Sequence, residues 1–156
     1  AAGHMGHIEC TAAAGIDCAC GRSGHLESVA SGTSIGRMFD ERYGRVDESR
    51  PSVGRDVNDL CCAGDERGVD VIHDAGFSLG ASLGSLANIL DPEVIVLSGG
   101  VIHGKDGWRS VTWRDSIREG FASQALDPLL DTPILIGTLE GEAPLIGAAE
   151  NLLASL

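Results

Sequence analysis

His4, His7, Cys10, Cys18, Cys20, His25 and Glu27 all fall within residues 4–27, and no other stretch concentrates metal-binding side chains in this way. Cys18 and Cys20 are one residue apart. Gly21 follows them directly, and Gly24 directly precedes His25. Two thiolates on a tight glycine-flanked turn can hold one cation. A histidine on either side completes four N/S donors, the complement of a closed structural zinc site. The proposed set is His7, Cys18, Cys20 and His25, with Cys10 in reserve. The spacing is not that of a zinc finger, and on spacing alone two readings stand. One is zinc. The other is a pair of small buried cysteines beside two surface imidazoles. A disulfide between Cys18 and Cys20 is disfavoured, because cysteines so close in sequence close a strained ring.

The elements that must position these residues can be read from periodicity and punctuation. A short strand is expected near residues 7–10, and residues 13–25 form a glycine-punctuated loop. A helical stretch runs over 28–30. A second helix, capped by Thr33 or Ser34, runs to about residue 43, with Ile35, Met38 and Phe39 at i, i+3, i+4. Residues 44–55 are a polar loop. Asp56 is expected to cap a helix over 57–63, in which Cys61 and Cys62 fill core positions. Asp65 opens the longest helix, to about residue 90, with Ile72, Phe77, Leu83 and Leu86 on its apolar face. His73 reads as a partly buried helical histidine and not as a ligand.

Gly76, Gly80 and Gly84 recur on one stripe of that helix. Such a stripe admits either another backbone or a flat ligand. Asp91 and Pro92 end the helix. The apolar run 94–97 then reads as a strand covered on both faces, ending in Ser98-Gly99-Gly100. Ligands of α/β sheets collect at the carboxyl ends of strands. After a loop over 103–113, which holds Trp108 and Trp113, a helix over 111–122, a strand over 133–139 and a last helix over 141–153 complete an α/β pattern.

The 156 residues suit one domain with one core. Aromatic residues make up only 4% of the chain, so the core must rest on aliphatic side chains. The net charge is −12 and there is no Lys/Arg-rich run, which argues against nucleic acid as a partner of this segment. No apolar stretch reaches membrane-spanning length, so no membrane partner is expected. Five clustered cysteines suit a reducing compartment with a metal, so the protein is expected to be cytoplasmic. The chain begins AAGHMG, without an initiator Met, and reads as a piece of a longer protein.

The metal-loop segment resembles the zinc signature of the ROK family of sugar kinases and sugar-responsive repressors. The family pattern is G-H, about ten residues, then C-x-C-G-x-x-G-C-x-E. Here Gly6-His7 is followed by ten residues and then CACGRSGHLE, from Cys18 to Glu27. His25 stands where the family usually has a third cysteine. Imidazole can replace thiolate on zinc, so the resemblance implies a Cys2His2 site. LESVASGTSI (26–35), LDPEVIVLSGGV (90–101) and GEAPLIGAAENL (141–152) resemble family segments in the family's order.

The resemblance implies an incomplete ribonuclease-H-like, actin-like ATPase domain. Residues 1–156 would be the C-terminal portion of a sugar kinase or repressor, with the zinc loop at 7–27. The activity implied is ATP-dependent phosphorylation of a hexose or N-acetylhexosamine, with magnesium accompanying ATP. The 156 residues alone are expected to be inactive, and no acid in them matches the family's catalytic base. The alternative is the effector-binding domain of a repressor. By match to the family motif, His4, His7 and Glu27 would contact sugar hydroxyls. Gly99 and Gly100 would line the nucleotide site, with Gly80 beneath the adenine. Most of the family has Glu where His4 stands. Some N-acylmannosamine kinases of the family read G-H-x-G-H, which points to an amino sugar such as N-acetylmannosamine. A homo-oligomer is implied.

Overall fold

The computed structural model describes residues 4–102, 110–139 and 142–154. Two short 3-10 turns, Met5–His7 and Thr11–Ala13, lead into the metal loop. Helices α1 (Glu27–Ala30), α2 (Gly32–Tyr43), α3 (Gly54–Cys62) and α4 (Glu66–Leu90) follow. Strand β1 (Ile95–Leu97), helix α5 (Val111–Gln124), strand β2 (Ile134–Ile136) and helix α6 (Ala143–Ala154) complete the order. β1 and β2 pair in parallel, with Ile95 opposite Ile134 and Leu97 opposite Ile136. Parallel neighbours need a crossover, and α5 supplies it.

The core lies between the helices. Ile35 and Phe39 of α2, Val57 of α3, Val71, Ile72 and Ala75 of α4, and Trp113, Ile117 and Phe121 of α5 are all buried. Trp113 is the largest of them. Its indole N–H donates to the buried Asn58 Oδ1 at 3.2 Å, so α3 and α5 are joined by a polar bond inside an apolar shell.

α4 and α5 approach backbone to backbone along the glycine stripe. A Cβ on Gly80 would collide with the Ile117 carbonyl oxygen, and one on Gly120 with the Phe77 carbonyl oxygen. Gly76 and Gly84 likewise face Ser116 and the Phe121 carbonyl. Of the two roles open to the stripe, helix packing is the one realised. At Gly80 the place of a side chain is taken by the α5 backbone.

Several local expectations need correction. The strand near residues 7–10 is reduced to a single antiparallel bridge, Glu9 to His25. Its partner is a loop whose Gly21 and Gly24 take positive φ and end the pairing. The α2 cap is Ser31, whose side chain accepts from the Ser34 N–H at 3.1 Å. Ser34 instead turns its hydroxyl to the Glu27 carbonyl at 2.7 Å. Asp56 lies inside α3 and not before it; from the third helical position it accepts from the Val53 N–H at 2.9 Å. Cys61 is buried, but Cys62 is exposed, as adjacent residues on one helix must point to different faces. His73 is half-buried in α4, as expected, and meets Glu119 of α5 at 3.2 Å. Trp113 belongs to α5 and not to the preceding loop; residues 103–109, with Trp108, lie outside the described residues, as does Gly141.

The sheet also differs. The residues of β1 are covered on one face only: Val96 is 58% exposed and its register partner Leu135 is 52% exposed, so the two make one bare apolar face.

Candidate metal centre and adjoining cleft

The metal loop is folded by its own backbone. The Cys18 N–H donates to the Arg22 carbonyl at 2.6 Å and the Gly21 N–H to the Cys18 carbonyl at 2.9 Å. This turn brings Cys20 back over Cys18. The Cys10 N–H donates to the Gly24 carbonyl and the Leu26 N–H to the Ile8 carbonyl, which carries His25 beside the segment that bears His7. Ser28 Oγ donates to the Asp17 carbonyl at 3.3 Å and ties the loop to α1.

The result is a converging donor set. One ligand atom from each of His7, Cys18, Cys20 and His25 lies within 4.8 Å of all the others. Cys18 Sγ is 3.8 Å from His7 Nδ1, and Cys20 Sγ is 3.2 Å from His25 Nδ1. Tetrahedral zinc with ordinary bond lengths holds such donors about 3.3–3.8 Å apart, so the longest edge must close by at most about 1.5 Å. Two thiols and two imidazoles without a carboxylate are the chemistry of zinc and not of magnesium or calcium. The residues fit the ion. The Cys20 backbone N–H, hydrogen-bonded to the Cys18 sulfur, holds that thiol below its ordinary value, against the opposing effect of desolvation. That favours the thiolate a metal needs. Cys10 is buried and stands outside the converging group.

His4, His7 and Glu27 come together on one side of this centre. The His4 and His7 rings stack with centroids 5.9 Å apart and planes 15° apart. His7 also leans on His25, centroids 5.3 Å apart. Glu27, the first residue of α1, lays its carboxylate over Gly6; a Cβ on Gly6 would lie 2.5 Å from Glu27 Oε2. All three side chains are accessible to a ligand. The part played by Gly6 has no signal of its own in the sequence, because it depends on where Glu27 folds back.

The glycine turn lies at the carboxyl end of β1. Gly99 has φ +132°, and the Ile102 N–H donates to its carbonyl at 3.1 Å. Gly99 and Gly100 are exposed and form one wall of a cavity of about 180 Å³ together with Ala30, Leu79 and Trp113. Ala30 is the last residue of α1 and Glu27 its first. The backbones of Glu27 and Ala30 are therefore one turn of helix apart, about 4.5 Å of rise. A larger groove of about 440 Å³ between α4 and residues 12–16 contains none of the expected site residues.

The model of the ROK family matches residues 1–154. The chain belongs to the ROK family. It is 33% identical over 156 residues to a glucokinase of Halalkalibacterium halodurans, a match that covers 94% of this chain and 46% of that protein. It is 37% identical over 100 residues to an N-acetylmannosamine kinase of Yersinia pestis, covering 64% of this chain and 32% of the other. A ROK family glucokinase from Streptomyces griseus, solved with glucose and AMPPNP, superposes with a TM-score of 0.74 at 26% identity over 94% of this chain and 49% of that one. A ROK family transcriptional regulator, a homologue of the E. coli MLC protein, superposes with a TM-score of 0.65 at 28% identity over 85% of this chain and 33% of that one. The ROK chain described here thus has the actin-like ATPase fold of these sugar kinases and spans about half the length, or less, of the curated relatives it matches. Among the described residues no helix is long and apolar enough to cross a membrane.

Proposed function

We propose that the chain carries the C-terminal half of the ligand cleft of an ATP-dependent ROK sugar kinase, cytoplasmic and oligomeric like the family it resembles. His4, His7 and Glu27 hold the hydroxyls of a hexose or N-acetylhexosamine. Gly99 and Gly100 let the nucleotide approach the backbone. The observation that carries this reading is α1: its first residue is Glu27 and its last, Ala30, walls the glycine cavity. That is the proximity a transfer of phosphoryl between two bound ligands needs. The shared descent with glucokinases and N-acetylmannosamine kinases supports the sugar class.

His7, Cys18, Cys20 and His25 would hold structural zinc. When bound, zinc supplies a rigid cross-link and a fixed charge, with all four positions taken by protein. His7 then serves both sites: one ring nitrogen faces the metal donors and the other is left to meet a sugar hydroxyl. Glu27 accepts from vicinal hydroxyls, and the stacked His4 closes that side. A carboxylate at position 4, usual in the family, would accept only. An imidazole can also donate, which suits an acyl carbonyl and favours an amino sugar such as N-acetylmannosamine. ATP would arrive with magnesium. The catalytic base is not assigned to this chain.

The test is calorimetric titration of the intact protein with N-acetylmannosamine, N-acetylglucosamine and glucose, with and without ATP. Sugar binding that is lost in Glu27→Ala supports the reading, and unchanged affinity removes the sugar-site assignment. A second reading, the effector-binding domain of a repressor, draws on the likeness to the ROK transcriptional regulator. Sugar binding without any phosphoryl transfer to sugar would favour it.

A further inference from the structure

A strip of α4 lies open between residues 8–16 and α5. Its first part is the groove of about 440 Å³ described above, and a second groove of about 330 Å³ continues it toward the end of α4. Ala12, Phe77 and Ser78 line both, so the two form one trough. From His73 to Ser85 its floor runs about 18 Å along the helix. That is the length of about five residues of extended chain. A compact metabolite would leave most of it empty.

The two parts of the trough differ in chemistry. Val29, Met38, Ile16 and Phe77 give the first part an apolar bed, and Glu41, Asp74 and Glu119 bring three carboxylates to it. Its guanidinium, Arg42, is already engaged, donating to Asp74 at 2.6 Å and to Asp70 at 2.7 Å. Glu41 pairs along α2 with Arg37 at 2.8 Å. Glu119 is 62% exposed and, among the described residues, meets only the His73 imidazole, at 3.2 Å. Arg118 beside it donates elsewhere, to the Thr132 carbonyl at 2.9 Å. His73 in turn stacks on the half-buried Phe77, with centroids 6.3 Å and planes 22° apart. A cation entering here finds an aromatic ring and a carboxylate joined through one imidazole. In the second part, Thr11, Ser85 and Gln124 offer donors and acceptors to a main chain.

Charge separates the occupants. A second copy laid trough to trough would set Glu41, Asp74 and Glu119 against their own counterparts. A basic partner is drawn by them and by the net charge of −12. We propose that this trough docks an extended segment of a partner protein, with an arginine or lysine at Phe77 and Glu119 and small apolar residues running toward Ser85. The proposal stands apart from the sugar-kinase reading, since none of His4, His7, Glu27, Gly99 and Gly100 lines the trough.

Random heptapeptides displayed on phage, panned against the intact protein, test it. The counter-selection is Ser85→Trp, whose indole fills the far end of the trough. Retained sequences should carry a basic residue flanked by apolar ones, and a synthetic peptide of the commonest sequence should bind one per chain. Its affinity should fall about fivefold to tenfold in Glu119→Gln. Neutralising the peptide's cation, with citrulline for arginine or norleucine for lysine, should cost as much, and combining the two changes should cost no more. Glu93→Gln, which removes an exposed carboxylate before β1, should change nothing. No enrichment over the counter-selection, or retention of acidic or uncharged sequences, overturns the proposal. Equal losses in Glu119→Gln and Glu93→Gln also overturn it, because the attraction would then come from the overall charge. Sedimentation of the unsubstituted and Ser85→Trp proteins tests the other occupant. A changed oligomeric state in the variant would make the trough a contact between copies and sink the proposal, whereas an unchanged one supports a trough left free for a partner.

Discussion

The carboxylate of Glu27 rests on the α-carbon of Gly6, with Oε2 where a side chain at position 6 would begin. Glycine at that position, between His4 and His7 in the sequence, thus keeps a place open for a charged group twenty-one residues later in the chain. Glu27→Ala should lower sugar affinity by about tenfold to a hundredfold, the cost of one hydrogen bond to a charged group. Gly6→Ala should act in the same direction but more weakly, because the carboxylate is the free end of a flexible side chain and can swing aside. Calorimetry with sugar measures both. Equal losses would mean that position 6 acts through the backbone turn and not through Glu27.

The metal centre makes a separate prediction. Purified protein should carry about one zinc per chain, and Cys18→Ser combined with Cys20→Ser should abolish it. Thiols and imidazoles bind metal only when deprotonated, so zinc should be retained at neutral pH and released as pH falls. Removing the ion should lower sugar affinity as well, because His7 and the segment carrying Glu27 lose their cross-link. Atomic absorption and a chelator titration followed by sugar binding check the two halves. Zinc loss without any change in sugar affinity would separate the two sites.

The metal donors were legible because cysteine and histidine reveal their chemistry by type, and a glycine-flanked C-x-C can fold only into a small range of turns. The long helix was legible for a different reason: twenty-five residues of sustained periodicity with an aspartate at the start leave little choice. Elements held by tertiary contacts were not. Ser31, Thr33 and Ser34 are all competent caps, and only the ending of α1 selects Ser31. Cys61 and Cys62 look alike until α3 docks and turns one of them outward. An apolar run such as 94–97 reads as doubly covered whether or not anything lies over its second face, and here Val96 and Leu135 are bare.

Gly80 and Gly120 form a reciprocal contact, each facing a carbonyl of the opposite helix. Neither backbone can retreat easily, since Trp113, Ile117 and Phe121 pack beside them. Gly80→Ala should therefore destabilise the protein by about 1–3 kcal/mol through overpacking, although alanine is the better helix former. Gly147→Ala in α6 is the control: nothing lies within 4 Å of the added methyl, so only the helix-propensity gain should remain. Urea unfolding of both variants decides. A stabilised Gly80→Ala would show that the stripe has room and would reopen the case for a ligand against it.

Asp65 caps α4, its side chain accepting from the Arg67 N–H at 3.0 Å and pairing with the Arg67 guanidinium at 2.7 Å. These bonds, the guanidinium first, hold its carboxyl at about 2, below the ordinary 3.8. The folded state thus binds the proton more weakly than the unfolded one. Stability from this group is fully present above pH 3.8 and is lost as pH falls toward 2. Asp65→Asn keeps a hydrogen-bond acceptor at the cap but cannot titrate. Its unfolding midpoint in urea should be somewhat lower at neutral pH, with the gap to the unsubstituted protein narrowing between pH 4 and pH 2. A gap that stays constant over that window would mean that the Arg67 pair contributes nothing and that capping alone holds the start of α4.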